Sequence, residues 1–260
     1  MKRGSTSAAA CVLTAAAMAL TSGVTARADT SDPPPGVPSF DFSECPELPG
    51  PSEDFSAICF NQVIVGGRVQ IGGLAHEITD PIRFTFSDVT ERKTGVRQNY
   101  AGPLHAKKVP VPSEDVGLPP GGTVYADPEY AGPIGLRYPN VTIGVKIRLT
   151  GAGLGGSCTI GADDDPILMN LTTGTTNPPP PNTPITGVPF KFLGSDGTVS
   201  VRSATHVDNA FPAPAARGCT RNGQNIDHAV NAAAGLPSPA GTNTVIIEEY
   251  FGYKLYDRLP

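Results

Sequence analysis

The sequence predicts an all-β protein: a mainly antiparallel β-sandwich with one short C-terminal helix, stapled by two disulfides. Three observations carry that expectation. Apolar and polar residues alternate with a period of two in several separate segments, a spacing that a strand turns into one apolar and one wettable face. Pro (28) and Gly (30) punctuate those segments. Four cysteines follow an N-terminal leader, an even number that reads as two bridges.

The leader comes first. Met1-Lys2-Arg3 is followed by an apolar run from Ala8 to Leu20 and by the small-x-small pattern Ala26-Arg27-Ala28. These are the parts of a secretory signal peptide, expected over residues 1–28, Ala-rich in the bacterial style. The run is shorter than the roughly 20 apolar residues that cross a bilayer. There is no twin-arginine pair, and Cys11 sits before the apolar run has developed, where a lipoprotein cysteine would follow it. Loss of Lys2, Arg3 and Arg27 takes the formal net charge from −5 to −8. Such a chain has no electrostatic footprint for nucleic acid or for an anionic membrane. No later segment approaches transmembrane length, and Trp is absent.

Residues 29–44, with Pro33-Pro34-Pro35-Gly36-Val37-Pro38, read as a flexible Pro-rich leader. A single β-sandwich domain is expected over 45–260, with two smaller sandwiches divided near Gly151 to Gly156 as the alternative. Of three possible connectivities, Cys45–Cys59 and Cys158–Cys219 are preferred. The first closes a short Pro-containing loop and the second ties two loops of the C-terminal half, each worth on the order of 3 to 4 kcal/mol. No two cysteines have zinc-ligand spacing, and no C-x-x-C exists to support thiol chemistry.

The strands then follow in order. Phe60 to Ile71 places Val63, Val65, Val69 and Ile71 on one face, with a bulge at Gly66-Gly67. Ile82, Phe84 and Phe86 form a second strand. Weaker candidates cover Val96 to Tyr100 and Leu104 to Val111, and the prolines of Val109-Pro110-Val111-Pro112 bar that piece from a sheet centre. Thr123 to Ala126 is short, and Tyr130-Ala131-Gly132-Pro133 and Leu136-Arg137-Tyr138-Pro139 read as loops. Val141 to Leu149 is the clearest strand of all, and Ile167 to Leu171 is a brief one. Val188, Phe190 and Phe192 pair with Thr198 to Ala204 across the turn Ser195-Asp196-Gly197. Asn225 caps a helix that ends at Gly235, before Pro237. Thr244 to Tyr256 closes the fold, its apolar face interrupted by Glu249.

No motif carries chemistry. Gly151 to Gly156 matches G-x-G-x-x-G, but no helix follows, so it reads as a turn. His76-Glu77 begins like a zinc-protease signature and lacks the second His, so a polar loop is expected. Asp163-Asp164-Asp165 lacks the remaining pattern of a calcium loop. Ser203, His206 and Asp208 are neighbours in sequence, whereas triads are assembled from distant loops, and no G-x-S-x-G occurs. His105, His206 and His228 share no ligand spacing. Glu248 and Glu249 point to opposite faces of a strand and cannot flank one glycosidic bond. The acceptor patterns at Asn140 and Asn170 take no role in a bacterial chain. Tyr130 and Tyr138, in Gly/Pro loops, are the candidate binding residues. No metal and no cofactor are expected.

These features describe an exported, non-catalytic protein with a binding or structural role at the cell surface or in the medium. The expected partner is a cell-envelope or extracellular polymer. A secreted hydrolase with an unrecognised site and a secreted inhibitor or adhesin are the rival expectations.

Overall fold

The alternating segments become strands that are longer than their apolar cores, because pairing with a neighbour carries each one outward. The computed structural model describes residues 36–259. The expected signal peptide, residues 29–35 of the leader and Pro260 lie outside the described residues. In chain order the first strands are β1 (Phe55–Ile71), β2 (Leu74–Glu77), β3 (Ile82–Glu91), β4 (Arg97–His105), β5 (Val109–Pro112) and β6 (Thr123–Arg137). There follow β7 (Asn140–Gly151), β8 (Thr159–Ile160), β9 (Ile167–Leu171), β10 (Val188–Ser195), β11 (Ser200–Asp208) and β12 (Ala216–Arg217). The small hairpin β13 (Thr220–Arg221) and β14 (Gln224–Asn225), the helix α1 (Asp227–Ala234) and β15 (Thr244–Leu255) complete the set.

Two antiparallel sheets share one apolar core. The larger runs β10-β11-β15-β1-β3-β4, with β2 paired to the end of β1. The smaller runs β12-β8-β7-β6-β5, with β9 paired to β7. Each sheet draws strands from both sides of Gly151 to Gly156. One margin is closed by a bridge between the sheets, where Thr172 and Val207 exchange backbone hydrogen bonds of 3.0 and 2.9 Å.

Two bulges set which side chains face the core. In β1 the register slips between Ile64 and Gly66. An extra residue inverts the alternation beyond it. Val69 and Ile71 therefore share the inner face with Phe60, Gln62 and Ile64, and Val63 and Val65 face the other way. This corrects the expectation that the four apolar residues lie on one side. In β6 the register slips between Tyr130 and Ile134, opposite Gly144 of β7. The Gly132 carbonyl lies where a Cβ at Gly144 would stand. What reads in sequence as a short strand followed by loops is thus one long bulged strand.

Other boundaries follow from local chemistry. β5 is an edge strand, as its two prolines require. His76-Glu77 lies in the short strand β2, not in a polar loop. Asp196 Oδ1 accepts the N–H groups of Thr198 and Val199 at 2.7 and 2.6 Å, fixing the β10–β11 hairpin. The Asn225 side chain accepts the Asp227 N–H at 3.0 Å at the start of α1, and Gly235, with φ of 64°, ends it.

The disulfides are Cys45–Cys59 and Cys158–Cys219. Residues 39–42 lie on the outer face of the larger sheet. Asn61 Nδ2 donates to the Asp41 carbonyl at 2.7 Å, Arg83 donates to the Ser39 carbonyl at 2.8 Å, and Phe42 is buried. Phe40 lies over Gly252, where any side chain would collide with its ring.

Candidate functional site

The turn between β6 and β7 carries Tyr138 and Pro139 over the inner face of the larger sheet. Tyr138 is 61% exposed. Phe190 of β10 stacks on it at 5.0 Å between centroids and 21° between planes. The Arg202 guanidinium of β11 lies 5.9 Å from the Tyr138 ring and 5.8 Å from the Tyr253 ring, within cation–π range. Its Nη1 also donates to the Tyr138 hydroxyl at 3.1 Å.

Below the turn lies a cleft of about 350 Å³. Its floor is aromatic: Phe60 and Phe86 stack at 5.0 Å, and Phe251 meets Phe86 edge-on. Two arginines border it. Arg97 grips the Asp88 carboxylate with both Nε and Nη2, the Nε contact being 2.6 Å. Arg202 pairs with no carboxylate among the described residues, and its buried Nε has no acceptor. The cleft thus offers ring faces together with one guanidinium that no carboxylate among the described residues neutralises.

Behind the cleft is a buried polar cluster. Glu249 of β15 accepts hydrogen bonds from Gln62 Nε2 and His206 Nδ1, and both Glu249 and His206 are sealed from solvent. His206 Nε2 donates to the Pro139 carbonyl at 2.7 Å. Both ring nitrogens thus lie within hydrogen-bond reach of an oxygen. Burial alone would lower the His206 pKa. The Glu249 hydrogen bond and charge, helped by the Pro139 carbonyl, outweigh burial and hold it above the ordinary value. The cluster ties the larger sheet to the residue after Tyr138, and so fixes the lip of the cleft. Further along β11, burial pushes the Asp208 carboxyl up against the opposing pull of the Ala210 and Asn170 N–H groups.

The sequence-predicted site residues separate. Tyr138 stands at the cleft. Tyr130 lies within β6 and not in a loop, half-buried with its ring 5.6 Å from Phe84, and burial pushes its phenol up. Pairing with Val145 of β7 draws it into the sheet, which corrects its expected placement in a loop. Cys45, Cys59, Cys158 and Cys219 are structural bridges. Ser203 points to the face opposite His206 and Asp208, so those three form no triad. Asp163 and Asp164 are engaged by Lys146 and Arg217. Among the described residues no cluster of His, Cys, Asp or Glu is arranged to hold a metal ion.

Sequence reasoning missed Arg202 and Phe190. Arg202 left no trace, because Ser200 and Ser203 near it on the strand are polar, whereas Glu249 stands out between Ile247 and Phe251 on the apolar face of its strand. No family model, no curated protein and no solved structure matches this chain. The fold and site define a disulfide-stapled all-β protein with an aromatic and arginine-bordered cleft. No helix among the described residues is long and apolar enough to cross a membrane.

Proposed function

We propose that the protein is an exported, non-catalytic binding protein, acting at the cell surface or in the extracellular medium. In this reading the Tyr138 cleft holds a ring-bearing, anionic group of an envelope or extracellular polymer. The observation that carries it is the pre-organised Tyr138: an exposed ring fixed by Phe190 and Arg202 above a cleft whose guanidinium lacks an anion. Rings stack on such a surface, and an acceptor-bearing substituent would satisfy Arg202 in a fork geometry. Two disulfides support an oxidising compartment.

Binding is favoured over hydrolysis by the placement of the titratable groups. The one buried acid–base pair among the described residues, Glu249 and His206, lies behind Phe190 and Phe251, whose rings stand 5.4 and 6.2 Å from the imidazole. Asp88 is committed to Arg97. No carboxylate pair flanks the cleft.

The test is sedimentation of the purified protein with whole envelopes and with insoluble polysaccharides, followed by salt washes. Retention through high salt is expected on at least one material. Absence of retention on every material would contradict the proposal.

A further inference from the structure

The two sheets also diverge at the opposite side of the core. Two adjoining cavities of about 190 Å³ and about 120 Å³ lie there, and they share no lining residue with the Tyr138 cleft. Both are bordered by Val69, Ile71, Ile78, Ile82, Pro128 and Ile147, so they adjoin along that wall as an inner and an outer lobe. The inner lobe is walled by aliphatic side chains of both sheets, with Phe84 as its aromatic contact and Gln62 as its single polar amide. No charged side chain lines that lobe. An aliphatic cavity of about 150 Å³ stays dry and admits a benzene-sized guest. Each lobe is of that order.

The outer lobe reaches the surface between β2 and β5, two strands of four residues each. β2 pairs only with β1, and β5 only with β6. Pro110 and Pro112 have no N–H to donate, so β5 cannot zip onto β2 and shut the gap. His76 and Asp115 stand exposed at the rim. An apolar guest therefore has a route inward that breaks no ladder hydrogen bond.

We propose that this space is a binding site for one unbranched alkyl or acyl chain. The chain enters tail-first between β2 and β5 and leaves its head group in water beside His76 and Asp115. Two adjoining lobes, each of roughly benzene-sized volume, suit a chain that threads from one to the other. The lining excludes polar groups along the guest, which would be buried there without partners. This site stands or falls independently of the Tyr138 cleft.

The experiment is calorimetric titration of the purified full chain with straight-chain carboxylates from hexanoate to tetradecanoate, each below its micelle concentration. Affinity is expected to rise about fourfold per methylene and then to level off once both lobes are filled. The matching alcohols are expected to follow the same slope. Ala126→Phe, in the outer lobe, removes room for at least two methylenes and is expected to weaken the longest chain at least about 16-fold. Ala75→Trp narrows the exposed mouth without touching the inner lobe, and it decides the question if Ala126→Phe fails to fold. Tyr138→Ala is expected to leave chain binding unchanged. Failure of every chain to bind, affinity independent of chain length, or undiminished binding by folded Ala126→Phe or Ala75→Trp would overturn the proposal.

Discussion

Glu249 is a charge placed where β15 presents its apolar face, and Gln62 and His206 make that position tenable. Removing one side of a buried pair strands the other charge, which costs about 3–5 kcal/mol. Glu249→Ala is therefore expected to lower urea stability by that amount, and a loss under about 1 kcal/mol would show that the pair is not what matters there. The pair also predicts a pH dependence. His206 binds its proton more tightly in the folded state than in the unfolded one. Its contribution is then fully present below the unfolded value of about 6.5 and is lost as pH rises through the raised folded value. The stability gap between the native protein and His206→Gln should be wide in mild acid and narrow in alkali. A gap that widens with pH would reverse the assignment.

At the scale of the element, the β6–β7 hairpin depends on two glycines with different roles. A Cβ at Gly144 would overlap the Gly132 carbonyl, a backbone atom held by the bulge. A Cβ at Gly135 would meet Thr142 Cβ at 3.7 Å, an ordinary contact. Gly144→Ala is expected to cost about 3 kcal/mol in denaturant unfolding, and Gly135→Ala less than about 1 kcal/mol. Equal losses would mean that the bulge is not pinned at Gly144. The same bulges explain what the sequence could and could not reveal. Alternation marked Val141 to Leu149 and Thr244 to Tyr256 as strands because no bulge interrupts either. It misassigned the faces of Val63 and Val69 because one inserted residue inverts everything downstream. Tyr130 looked like a loop residue because Gly132 and Pro133 follow it, and only the partner strand shows that they form a bulge.

For the whole molecule, the outer face of the larger sheet is the feature least legible in sequence. Residues 39–46 cover it, so Val201 and Val63 are buried on that side while Arg202 takes the inner position beside the cleft. A pattern read from β11 alone points Val201 at the core and Arg202 at solvent. The cysteines were legible because parity and loop length constrain them. In the chain-entropy account, the bridge spanning 61 residues contributes about 4 kcal/mol and the one spanning 14 about 3 kcal/mol. Serine replacement of Cys158 and Cys219 should thus cost more in thermal unfolding than replacement of Cys45 and Cys59. The opposite order would show that docking of the N-terminal segment outweighs loop entropy.

The central claim is that one exposed ring, fixed in place by the fold, makes the contact with a polymer. Cosedimentation of the native protein and of Tyr138→Ala, side by side on the material that retains the native chain, tests it most directly. Tyr138 is an exposed side chain held by Phe190 and Arg202, so its loss should lower stability by no more than about 2 kcal/mol. As the anchor of the site, it should cost at least about 2 kcal/mol of binding, or roughly a 30-fold weaker isotherm. A folded Tyr138→Ala that is retained as well as the native protein would contradict the account.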